Sequence, residues 1–117
     1  LFEPGTDGNR RSLEKHHLFP KAYLKSQGYT DAKINQMANY AFIDWKDNMD
    51  ILDDAPSVYY PIVCAGMSDD QIRIMEDENA LPHGWENMPY EEFLVERRKL
   101  MAAKIKAAFE ILKKATN

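Results

Sequence analysis

The chain predicts an α+β domain, two short β-strands followed mainly by helices, and three observations predict it. Glu14-Lys15-His16-His17 runs into Leu18-Phe19-Pro20, a strand-like stretch stopped by a residue that cannot donate to a ladder. Tyr40 to Trp45 alternates and clusters β-formers. From Pro89 onward, Phe93, Leu94, Leu100, Met101, Ile105, Ala108, Phe109 and Leu112 recur at helical spacing.

Each element has a local warrant. Residues 1–12 are polar and carry Gly5 and Gly8, so they read as a loose linker at which a larger protein is divided. Residues 13–17 form the first strand. Ala22-Tyr23-Leu24 makes one helical turn before the break at Gly28. Thr30 suits the N-cap of a short helix to about Ala38, with Ile34, Met37 and Ala38 on one face. Asn39 stands at the helix exit, where a left-handed asparagine is common. After the second strand, Lys46-Asp47-Asn48-Met49 starts another helix. Pro56 is a first-turn proline for a helix through Tyr59, Tyr60 and Ile62. Ser68 with Gln71 forms a capping box for a helix to about Glu78, and Leu81 to Gly84 is a loop. Pro89 then opens the long helix. Residues 13–52 thus hold both strands and the residues of interest, with 53–117 as helical bracing.

Bulk properties narrow the function classes. At 117 residues the chain is long enough for one domain with a core. A lone cysteine, Cys64, excludes an internal disulfide framework and a multi-cysteine zinc knuckle, and it suits a reducing cytoplasm. It reads as a buried small hydrophobe. There is no long apolar run and no basic-then-apolar leader pattern, so neither a membrane span nor secretion is indicated. The net charge of −4 argues against a tight stand-alone nucleic-acid sleeve. Its distribution qualifies that reading, because residues 9–25 carry Arg10, Arg11, Lys15, Lys21 and Lys25 against Glu14 alone. A basic patch beside paired histidines fits weak phosphate contact.

The histidines carry the chemistry. Successive side chains on a strand point to opposite faces, so His16 and His17 can address one cleft only at a strand end, where the chain bends. There one imidazole can hold a metal while the other handles a proton. Asn39 and Asn48 lie on either side of the second strand and supply carboxamides for a second arm.

The order strand with His16-His17-Leu18-Phe19-Pro20, connection, strand Asn39-Tyr-Ala-Phe-Ile-Asp-Trp, helix with Asn48 resembles the ββα-metal core of the HNH (His-Me finger) nucleases. More narrowly it is similar to the C-terminal nuclease domain of GmrSD-type modification-dependent restriction endonucleases. The likeness extends through Asp53-Asp54-Ala55-Pro56-Ser57-Val58-Tyr59 and Tyr90 to Arg98, nearly the whole chain. The resemblance implies a metal-dependent DNA endonuclease, the cleavage module of a larger phage-defence protein whose upstream ParB-like domain hydrolyses nucleotide. It implies one divalent cation, Mg²⁺ foremost with Mn²⁺, Ni²⁺ or Zn²⁺ as alternatives, held by His16 and Asn48. It implies His17 as the general base and Asn39 as a catalytic support that orients His17 or braces the loop. Lys15, Lys21 and Lys46 would contact substrate phosphates.

Each part has a reason. Phosphodiesters repel hydroxide, so charge must be neutralised as the pentavalent state forms, a Lewis-acid role worth several kcal/mol. Histidine suits the base because it changes charge near neutral pH. Three features depart from the wider superfamily. His16 is neutral where a carboxylate is common, Asp50 follows Asn48 where a basic phosphate anchor is expected, and no Cys₄ zinc braces the core. The reading from a different class is a silent His-Me finger module that binds DNA or a partner protein.

Overall fold

The computed structural model describes residues 14–43, 45 and 53–116. They form a mainly helical α+β chain with one two-stranded antiparallel sheet. The fold divides after Ala55 into two compact units. The N-terminal linker expectation for residues 1–12 and the helix start at 46–49 lie outside the described residues.

In the first unit, β1 (Glu14–His17) pairs antiparallel with β2 (Tyr40–Ile43) in the register Glu14 opposite Ile43, Lys15 opposite Phe42, His16 opposite Ala41 and His17 opposite Tyr40. Ala41 and Ile43 are buried and Phe42 is exposed, so β2 alternates as a half-buried strand must. The connection holds two short helices. Pro20 precedes α1 (Lys21–Ser26), in which Leu24 is buried. Gly28 at φ +91 reverses the chain, while Tyr29 N donates to Leu24 O and Gly28 N to Lys25 O. This pair of bonds is the Schellman close, whose left-handed residue favours glycine.

Thr30 caps α2 (Asp31–Ile34) as its sequence predicts, its Oγ1 accepting from Lys33 N. The helix stops at Ile34 rather than at Ala38. Gln36 is extended, and a 3₁₀ turn (Met37–Asn39) follows. Beyond the stop, the carbonyl of Ile34 accepts from the side chain of Asn39 at 3.0 Å. Met37 leaves the expected apolar face and is 77% exposed, whereas Ile34 and Ala38 join Leu18, Phe19 and Leu24 in the core. Asn39 is not left-handed; among described non-glycine residues that conformation belongs to Ala80.

In the second unit, α3 (Pro56–Val63) begins at its predicted proline and carries Pro61 within it. The Ser68 box closes α4 (Asp69–Glu78) with both reciprocal bonds, Gln71 N to Ser68 Oγ and Ser68 N to Gln71 Oε1. Trp85 is fully buried in a 3₁₀ turn (Trp85–Asn87), its ring 5.0 Å from Tyr60 and 5.4 Å from Phe93, and α5 (Tyr90–Thr116) follows. Buried Arg97 donates to the carbonyls of Asn79 and Ala80 at the end of α4, satisfying acceptors that the helix end leaves open. Its burial lowers the guanidinium pKa to about 10.

The expected apolar stripe of α5 divides. Phe93 and Leu94 are core, while Leu100, Ile105, Phe109 and Leu112 are exposed. A helix of 27 residues spans about 40 Å at 1.5 Å per residue. No described helix is long and apolar enough to cross a membrane.

Candidate functional site

His17 is the last residue of β1, so its position follows from the register of a four-residue strand. Lys15, His17, Tyr40 and Phe42 occupy one face of the hairpin, since side chains two apart share a face and directly opposed residues do too. The His17 and Tyr40 rings lie 4.5 Å apart, and Lys15 Nζ sits 4.6 Å from the Tyr40 ring centroid. A cation over an aromatic face is attracted by the ring quadrupole. The three side chains therefore form one continuous patch at the strand end.

A fourth residue completes it. His17 Nε2 is 2.9 Å from Asn35 Oδ1, and the Tyr40 hydroxyl donates to the same oxygen at 3.1 Å. Asn35 leaves α2 at its C-cap, so the early stop of that helix delivers the carboxamide to His17. The sequence reading missed both Asn35 and Tyr40. Its one available signal was the spacing of Asn35 and Asn39, and a helix through Ala38 would have sent them elsewhere.

Asn39 does something different from Asn35. It is fully buried, and its carboxamide holds the loop that follows the histidines. Oδ1 accepts from Phe19 N at 2.8 Å, while Nδ2 donates to Phe19 O and Ile34 O, each at 3.0 Å. The Asn39 carbonyl also accepts from Leu18 N at 2.7 Å. Of the two roles expected for Asn39, bracing the loop is the one its bonds perform; contact with His17 falls to Asn35.

His16 pairs with Ala41 and lies on the opposite, buried face from His17, half-exposed itself. The two imidazoles are thus neighbours at the strand end without sharing a face. Among the described residues no three His, Cys, Asp or Glu side chains converge as a metal-binding group. The expected donor set contains only one of those types, His16, since its partner is the carboxamide of Asn48. Asn48 and Lys46 lie outside the described residues.

Lys21 opens α1 on the exposed surface. Lys25 is ion-paired with Asp31 at 2.9 Å, and Asp31 is held below the usual carboxylate range by that hydrogen bond and by the charges of Lys25 and Lys21. The positive patch read from residues 9–25 is therefore partly offset by an acid just beyond it.

In the second unit a groove of about 930 Å³ runs between α4 and α5, lined in part by Glu76, His83, Lys99, Leu100 and Lys104. At its base, buried Glu76 accepts from the Tyr60 hydroxyl at 2.7 Å and lies 3.1 Å from His83 Nδ1. His83, in the loop expected from Leu81 to Gly84, is exposed but joined to that carboxylate. None of the residues singled out as catalytic, metal-binding or phosphate-binding lines this groove. No protein-family model, curated protein or solved structure matches the chain.

Proposed function

We propose that the chain is a metal-dependent DNA endonuclease module of the His-Me finger type, the cutting part of a larger phage-defence protein. The observation that carries the reading is His17 at the end of β1, held through Nε2 by Asn35, directly after which Asn39 clamps the chain at Phe19. An imidazole in that setting is fixed in direction yet stays at the surface, as a base acting on a bulky polymer must. Hydrolysis would proceed by attack of a water oxygen on phosphorus. His17 takes the water's proton, the bond from phosphorus to the 3′ oxygen breaks, and that oxygen leaves as a hydroxyl once protonated. General-base assistance of this kind is worth about 10²–10⁴-fold in rate.

His16 and Asn48 would hold the cation, offering an imidazole nitrogen and a carboxamide oxygen. Water and phosphate oxygens would have to complete such a two-residue set, with His16 reaching it from the buried face of the hairpin, and its lack of a carboxylate favours Mn²⁺, Ni²⁺ or Zn²⁺ more than a typical Mg²⁺ site does. When bound, the cation supplies charge neutralisation to the phosphate and to the departing oxygen. Lys15 stands over Tyr40 on the His17 face, within one patch where a phosphate can be met by a cation. Lys21 and Lys46 are the further proposed phosphate contacts.

Nicking of supercoiled plasmid by residues 1–117, with each of these metal ions, tests the reading. The parent is expected to nick and His17→Ala is not. Equal cutting by His17→Ala removes the assignment. DNA retention without cutting under every metal favours the silent binding module instead.

A further inference from the structure

We propose that Asn35 is the positioning residue that fixes the tautomer and direction of the His17 imidazole; its catalytic consequence rests on the nuclease reading above. Two groups converge on the Asn35 Oδ1 atom, the Tyr40 hydroxyl at 3.1 Å and His17 Nε2 at 2.9 Å. A carboxamide oxygen only accepts, so a bond from His17 requires that Nε2 carry the proton. The neutral imidazole then presents Nδ1 as its basic nitrogen. Which ring nitrogen is available is set by the bond the other one makes, and here that bond comes from a side chain 18 residues downstream.

Three further features serve the same end. The Tyr40 ring packs against His17 at 4.5 Å and limits rotation of the imidazole, while its hydroxyl holds Asn35. Asn35 N donates to Asp31 O, which ties the backbone of the positioning residue to the last turn of α2. Asn35 itself is exposed, so its carboxamide fills no core space and can be replaced with little effect on packing. Its value lies in the bond.

The test separates this inference from the nuclease reading, because the tautomer can be read without any cutting. In ¹⁵N-labelled residues 1–117 at about pH 8.5, where free imidazole is neutral, His17 should show a protonated Nε2 and a pyridine-type Nδ1. Asn35→Leu should shift His17 toward a mixture of tautomers, and Asn35→Asp, which keeps an acceptor oxygen, should restore the parent pattern. In plasmid nicking, Asn35→Leu should lose about 10–100-fold in rate, the range typical of residues that orient a ligand or base from behind, and Asn35→Asp should recover most of it. A protonated Nδ1 in the parent overturns the proposal, since it would mean that the carboxamide is turned and donates its NH₂ to Nε2. So does a His17 pattern unchanged by Asn35→Leu. If the tautomer behaves as stated but no metal supports nicking in the parent, the nuclease reading fails while the positioning of His17 stands.

Discussion

Asn39 grips Phe19 by both ends of its carboxamide, accepting from the Phe19 amide at 2.8 Å and donating to the Phe19 carbonyl at 3.0 Å across 20 residues of sequence. The same side chain takes the Ile34 carbonyl, so a single buried group joins the loop after the histidines to the end of α2. A buried carboxamide is costly unless satisfied, and this one is satisfied by backbone alone.

Replacing Asn39 with Ala should therefore destabilise the first unit by about 2–4 kcal/mol, because it strands buried backbone groups of Phe19 and Ile34. Asn39→Asp should be no milder, since a carboxylate cannot donate to either carbonyl and places a charge where no surface is exposed. Urea unfolding followed by fluorescence measures both. A loss below about 0.5 kcal/mol for Asn39→Ala, the scale of an ordinary surface change, contradicts the clamp.

The proposed division of labour between the histidines predicts different thermodynamic signatures. By calorimetry with Mn²⁺, His16→Ala and Asn48→Ala should each weaken binding by about tenfold or more, and His17→Ala should leave affinity nearly intact. Equal losses for His16 and His17 would show that both imidazoles ligate, and that the base must be sought elsewhere.

Cys64 gives a pH-dependent prediction in the second unit. Burial pushes its thiol above the ordinary range, opposed by a side-chain hydrogen bond shared with Tyr60 and reinforced by the charges of Glu76 and Glu86. A raised pKa means less thiolate at any given pH, and the thiolate is the nucleophile. Alkylation by iodoacetamide should accordingly be slower than for glutathione between about pH 7 and 9, with its rate still rising at the upper end. Cys64 is half-buried rather than the buried small hydrophobe expected, and reaction as fast as glutathione at pH 8 would contradict its desolvation.

DNA binding by residues 1–117 should be weak, independent of sequence and modification, and shallow in its salt dependence. The slope of log affinity against log salt scales with the phosphates neutralised. Near His17 the described cations include Lys15, while Lys25 is already paired with Asp31. Titration of modified and unmodified duplexes at several salt concentrations decides it. Nanomolar, modification-selective binding would place target choice in this chain rather than in the proposed upstream domain.

How much of this was legible from the amino acids depended on how far each interaction reaches. The Ser68–Gln71 box, the Pro56 helix start, the Thr30 cap and the strand ending before Pro20 all form as read, because each depends on groups within four residues of one another. Which part of the α5 stripe is core and which is left exposed is not legible in the same way. Helical spacing of Ile105, Phe109 and Leu112 shows that a face exists, not that anything covers it.

By itself the sequence determined the two strands, the helix starts at Thr30, Pro56, Ser68 and Pro89, which residues are the paired histidines, and that an asparagine lies before the second strand. Tertiary structure decided the rest: that α2 ends at Ile34, that Asn39 braces Phe19, that His16 and His17 take opposite faces, and that Asn35 is the partner of His17. Caps and periodicities are set by neighbouring dihedral angles and hydrogen bonds. Strand register and side-chain bonds across 18 or 20 residues exist only once the hairpin has closed. A shift of one residue in that closure would turn every side chain of β1 to the other face.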